Sequence, residues 1–179
     1  MNNPARSPSS AAPSSSAVLV IVLNGPINSG KSTTGRALAS ILANAQFVEG
    51  DDHDAPEDAS LDVIIATSLR RLTTIIGSTT ADVLVIANPL RQEDYQVLLQ
   101  AVEARSADLR VVTLSPPVEI ALTNRGNRVL ETWEIERSRE MYAEGYNARA
   151  FSDLTITEMT SPSQTAREIV DRLHLSARQ

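Results

Sequence analysis

The stretch VLVIVLNGPINSGKSTTGRALA, Val18 to Ala39, decides the fold. Its first six residues are an unbroken apolar run rich in β-branched side chains. That is the pattern of a strand buried on both faces of a parallel sheet. Gly25 to Ser32, GPINSGKS, follows at once and fits the phosphate-binding pattern G-x-x-x-x-G-K-[ST]. Gly25 and Gly30 permit backbone angles closed to other residues and leave room for a phosphate to approach the chain. Backbone N–H groups then converge on one concavity, and the helix after Gly30 adds the positive end of its dipole. Lys31 supplies a mobile point charge for β- and γ-phosphates, and Ser32 a hydroxyl for magnesium. Asn28, Ser29 and Thr33 complete the cradle. ATP and Mg²⁺ are therefore the expected cofactors. A dinucleotide-binding G-x-G-x-x-G is excluded, because Ile27 occupies the position of its middle glycine.

Outward from this loop, strand-like and helix-like segments alternate. Strands are predicted over 46–48, 83–87, 109–114 and 154–157, and helices over 31–44, 61–76, 94–104, 117–125 and 131–144. In the second helix Leu61, Ile64, Ile65, Leu69, Leu72 and Ile76 share one side. Gly126 and Gly145 stand where helix C-caps belong. Ser161, Pro162 and Gln164 provide the cap, first-turn proline and capping-box partner of a last helix. The expectation is an α/β fold with three layers, a parallel sheet covered by helices on both faces. Residues 1–16 hold six Ser and three Pro and no large apolar side chain, so they read as a disordered tail before one domain over 17–179.

Composition removes several functional classes. The 179 residues include no Cys and only two His, which excludes a thiol nucleophile, a zinc ribbon and a multi-histidine metal centre. A net charge of −6 argues against a nucleic-acid partner held by charge. The longest apolar run, Ala17 to Leu23, has seven residues; a membrane-spanning helix needs about 20. A cytoplasmic protein, monomeric or homodimeric, is expected. Of the 16 basic residues only Lys31 is lysine, so the N-K-x-D motif of GTPases cannot occur beside the phosphate loop. No L-S-G-G-Q signature is present, and no Asp ends the strand at Val83–Ala87, where Asn88 follows. The acid on the magnesium side is expected from Asp51 or Asp52, after the second strand.

These features together resemble the small-molecule kinases of the nucleoside-monophosphate-kinase-like fold. GKSTTGRALA, Gly30 to Ala39, is similar to the G-K-S-T-x-G-R-x-L-A of shikimate and gluconate kinases. FVEGDD, Phe47 to Asp52, resembles the gluconate kinase motif of an aromatic residue followed by D-G-D or D-A-D, with Glu49 at the first Asp. VIANPLRQEDYQVLL, Val85 to Leu99, resembles the family's V-I-A-C-S-A-L-K-x-x-Y-R-D-L-L, with Asn88 and Pro89 at the Cys-Ser pair. The resemblance implies a helical lid at about 125–150. It also implies transfer of the ATP γ-phosphate to a hydroxyl of a small metabolite such as a sugar acid or polyol. A phosphotransferase acting on an antibiotic, and an ATP-binding regulatory module without transfer, are the alternatives.

Within that frame Asp51 is the candidate base on the acceptor hydroxyl, a substrate contact and, with Ser32, a magnesium contact. Asp52 is its alternative, and Glu49 alternates with Asp51 along the chain and can share the site. Lys31 and Arg128 are candidates for stabilising the transferring phosphoryl group, and Arg125 for holding the nucleotide. The competing reading of the lid arginines is a solvated helix face paired with interleaved glutamates. Arg91, just past the third strand, is a candidate cation for an anionic acceptor. Trp133, Tyr142 and Tyr146 are expected to pack the lid helix.

Overall fold

Strand β1 (Leu19–Asn24) is the middle of a five-stranded sheet, and its apolar run serves two cores at once. Val20 and Val22 point to one face and Ile21 and Leu23 to the other, all four fully buried. Such period-two alternation between two covered faces is why the run contains no polar residue. The computed structural model describes residues 17–56, 58–124, 128–158 and 160–176; the tail expected over residues 1–16 lies outside them.

The remaining elements follow in the order α1 (Lys31–Ile41), β2 (Ala45–Glu49), α2 (Leu61–Ser78), β3 (Val83–Ala87) and α3 (Gln92–Ala104). Then come β4 (Asp108–Leu114), α4 (Val118–Ala121), α5 (Thr132–Ala143), β5 (Leu154–Ile156) and α6 (Pro162–Arg172). The strand order is β2-β3-β1-β4-β5, and every pairing is parallel. Helices α1 and α6 cover one face, where Leu38, Leu42, Ala166 and Ile169 meet Ile21 and Leu23. Helices α2 and α3 cover the other, where Leu72, Ile76, Leu98 and Val102 meet Val20 and Val22. The three-layer α/β fold expected from the alternation is the fold observed. Among the described residues, no helix is long and apolar enough to cross a membrane.

One helix differs from expectation. The segment 117–125 was predicted helical throughout, yet α4 stops at Ala121. At this point the Asn28 side-chain amide donates to the carbonyls of Ala121 at 2.9 Å and Thr123 at 3.0 Å. Those carbonyls are turned toward the phosphate loop, and the chain leaves the helical path.

Asn24 ends β1 and ties the carboxyl edge of the sheet together. It is fully buried. Its amide donates to Thr113 Oγ1 at 2.9 Å and to the Tyr146 carbonyl at 3.0 Å, and its Oδ1 accepts from Leu90 N at 2.9 Å. One side chain thus fixes β4, the segment after β3 and the exit of α5. Replacing it by leucine takes their side-chain partner from the Tyr146 carbonyl and the Leu90 N–H, each loss costing about 1–3 kcal/mol, while Thr113 Oγ1 keeps the Ser152 hydroxyl. Asn24→Leu is expected to lose about 3 kcal/mol of stability, a fall in Tm of roughly 6–12 °C in thermal denaturation. An unchanged Tm would contradict the assignment.

Candidate functional site

At the carboxyl edge the loop between β1 and α1 wraps into a cradle. Gly25 has φ 142° and Gly30 φ 93°, and Asn28 adopts φ 59°, the left-handed region that Asn tolerates. A Cβ on Gly25 would stand 2.4 Å from the Leu114 carbonyl, so the loop lies against β4 as only glycine allows. Inside the cradle the Ser29 hydroxyl is buried with no hydrogen-bond partner among the described residues. An orphan of this kind in a glycine-bounded loop before a helix N-terminus fits an anion as its missing partner.

Lys31 folds back over the loop, donating from Nζ to the carbonyls of Pro26 at 2.8 Å and Gly25 at 3.1 Å. Burial lowers its ammonium from the ordinary 10.5 to about 8; the carboxylates of Asp51 and Glu49 pull it up again, and Arg128 presses it down. Below pH 8 the lysine of the free protein is charged, and above it the charge is lost. Polyphosphate binding needs the charge, so affinity is expected to be flat from pH 6 to 7.5 and to fall above pH 8. The fall reaches up to about tenfold per pH unit at constant magnesium, with uptake of a proton on binding. A calorimetric titration with ATP at several pH values checks this; an affinity that stays level to pH 9.5 would contradict it.

Ser32, expected on the magnesium side, donates its hydroxyl to Glu49 Oε1 at 2.7 Å. The carboxylate beside this hydroxyl is thus Glu49, not Asp51. Glu49 is further held by Arg36 at 3.3 Å, while Arg71 donates to its carbonyl at 3.0 Å. A hydroxyl bonded to a carboxylate, next to an anion cradle, is a hard-oxygen set of the kind magnesium takes when it shares a site with phosphates. The residues present fit such an ion. Gly50 makes this edge possible. Its amide donates to the Ala87 carbonyl at 2.8 Å, and a Cβ there would lie 2.3 Å from Asn88 Oδ1. The end of β2 therefore presses on β3 and carries Glu49 and Asp51 to either side of the contact.

Two cavities open at this edge. One, of about 480 Å³, runs from the phosphate loop past Arg128 to Ile156, Glu158 and Thr160. The other, of about 600 Å³, lies between the N-terminal half of α2 and helix α5. Ile27, Lys31 and Asp51 line both, so the cavities meet at the lysine and the aspartate. Asp52 lines neither and is bonded to Arg71 at 3.0 Å.

The other expected residues fall as follows. Asn28, Ser29, Gly30, Ser32 and Thr33 line the first cavity. Arg128 lines it too and is paired with Glu134. Arg125 lies outside the described residues. Arg91 lines neither cavity; it bonds Asp94 at 2.9 Å and also pairs with Glu93 and Asp62. Trp133 was expected to pack its helix but is 59% exposed and faces the second cavity. The segment around Glu158, Thr160 and Thr165 was not anticipated as part of the site, and nothing in its sequence pattern distinguishes it from an ordinary strand–helix connection.

Solved structures share this architecture. What they share with this chain is the fold. A gluconokinase from Sinorhizobium meliloti 1021 superposes with a TM-score of 0.64 at 18% identity, over 87% of this chain and 91% of its own. An APS kinase from Mycobacterium tuberculosis, solved with AMPPNP and APS, gives 0.61 at 20% identity over 88% and 98%. A tunicamycin resistance protein from Deinococcus radiodurans gives 0.61 at 17% identity over 90% and 99%. No protein-family model matches the sequence, and no curated protein matches it.

Proposed function

We propose that this protein is an ATP-dependent phosphotransferase that moves the γ-phosphoryl group to a hydroxyl of a small molecule. The observation that carries the reading is the meeting of the two cavities at Lys31 and Asp51. One cavity ends in an anion cradle, the other accommodates a second molecule, and an acid and a cation stand where they join. The gluconokinase and APS kinase neighbours support the same reaction type.

In this reading the phosphate loop binds the triphosphate through its N–H groups, the Ser29 hydroxyl and Lys31. Asp51 accepts the proton of the acceptor hydroxyl. The hydroxyl oxygen forms the new bond to the γ-phosphorus, the bond to the β-phosphate oxygen breaks, and ADP leaves. Lys31 and Arg128 stabilise charge on the transferring group. A magnesium ion held beside Ser32 and Glu49 would neutralise charge on the β- and γ-oxygens. The segment 128–150, carrying α5 and Arg128, is the described part of the proposed lid that excludes water.

The nucleotide half of the reading is tested by thermal denaturation with ATP and magnesium. At about 100 times its Kd, ATP should add about 2.7 kcal/mol, raising Tm by roughly 5–10 °C. AMP should give little. No protection by ATP would contradict the reading. The transfer half is tested by acceptor-stimulated ADP release.

A further inference from the structure

The second cavity is built for a particular kind of acceptor. Leu61, Ile64, Ile65 and Leu69 of α2 face Trp133 and Met141 of α5 across it. Leu61 and Trp133 are 57% and 59% exposed, so the mouth of the cavity is an apolar surface open to water. The indole N–H of Trp133 is already bonded to Glu131 Oε2 at 2.7 Å, which leaves the ring for apolar contact.

The charges in the cavity are one-sided. Asp51 and Glu136 line it, and neither has an ion-pair partner within 4 Å among the described residues. Arg137 also lines it, but its guanidinium is taken by Glu140 at 3.0 Å and Glu144 at 2.7 Å. Arg91, behind Asp94, is held by three carboxylates. Lys31 lines both cavities and bonds back to the Gly25 and Pro26 carbonyls. His53 also lines this one, and its Nδ1 accepts from Ala55 N at 3.2 Å. An anionic acceptor would meet two unpaired carboxylates and, among the described residues, no uncommitted cation besides Lys31.

We infer that the acceptor is an alcohol with a largely apolar body and no negative charge. A sugar acid does not fit this cavity. The inference rests on the phosphotransfer reading for the word acceptor, but the ligand class it names is testable by binding alone.

Trp133 is the chain's single tryptophan, so its fluorescence reports on the cavity. The probes are 4-phenylbutanol, 4-phenylbutylamine, 4-phenylbutyrate and gluconate, titrated with and without ATP and magnesium. The alcohol and the amine should shift the emission to the blue and bind at least about tenfold more tightly than the carboxylate; gluconate should cause no shift. Glu136→Arg should narrow or reverse the preference against 4-phenylbutyrate. Leu61→Asp, at an exposed position, should weaken the alcohol about tenfold with Tm unchanged. Tighter binding of gluconate or 4-phenylbutyrate than of the alcohol would overturn the inference, as would no shift with any probe. ADP release with gluconate would overturn it while leaving phosphotransfer intact. Binding of the alcohols with no turnover on any acceptor would leave the ligand class intact and count against phosphotransfer.

Discussion

Lys31→Ala is expected to lower acceptor-dependent phosphoryl transfer by about 10²–10³-fold, with Tm unchanged or slightly raised. The two halves of this expectation share one cause. The ammonium is partly withdrawn from water, which lowers its pKa to about 8. A charge in such a place acts on a phosphoryl group more strongly than one in bulk solvent. Holding it there opposes folding, so its removal does not weaken the protein. Among the described residues the lysine's hydrogen bonds run only to the carbonyls of Gly25 and Pro26 in its own loop, so its loss breaks no hydrogen bond to another element. Steady-state kinetics and thermal denaturation on the same variant measure both. Full transfer activity in Lys31→Ala would remove the phosphate loop from the mechanism.

Asp51→Asn should reduce turnover by about 10²–10⁴-fold while ATP affinity stays within about twofold. Asp51 lines both cavities and stands next to the charge that meets the phosphates. Asparagine keeps the shape and loses the proton acceptor. Asp52→Asn should have little effect, because Asp52 is an exposed partner of Arg71 and lines neither cavity. The contrast separates two adjacent aspartates that sequence alone leaves as alternatives. Equal losses in both variants would point to the charge of the segment, not to a base.

Most of the fold was legible because the apolar pattern obeys the geometry. The unbroken run 18–23 marked a strand covered on both sides, and glycine positions marked a turn that only glycine completes. The boundary of α4 was not legible. There the Asn28 side chain, 93 residues from Ala121 in sequence, reaches the Ala121 and Thr123 carbonyls. Similarly, the apolar side of α2 reads as one continuous face. Yet Leu72 and Ile76 enter the core, Leu61 and Ile64 line a cavity, and Ile65 and Leu69 between them touch both. Periodicity records that a side is apolar, not whether protein or ligand covers it. Arg91 shows the same limit for charge: its position past β3 suggested an acceptor contact, and the nearby carboxylates take it instead. The alternation of Glu49 with Asp51 lets it share the site, but its bond to Ser32 spans 17 residues and is set by how β2 packs on α1.

The decisive measurement is ADP release from ATP and magnesium across a panel of acceptors, with Lys31→Ala as control. The panel should span aryl and alkyl alcohols, amino alcohols, nucleosides, polyols and sugar acids. The predicted result is release stimulated by uncharged or cationic apolar alcohols and abolished in Lys31→Ala. Tight ATP binding with release at the background rate for every acceptor would contradict phosphotransfer and make the protein a nucleotide-binding module.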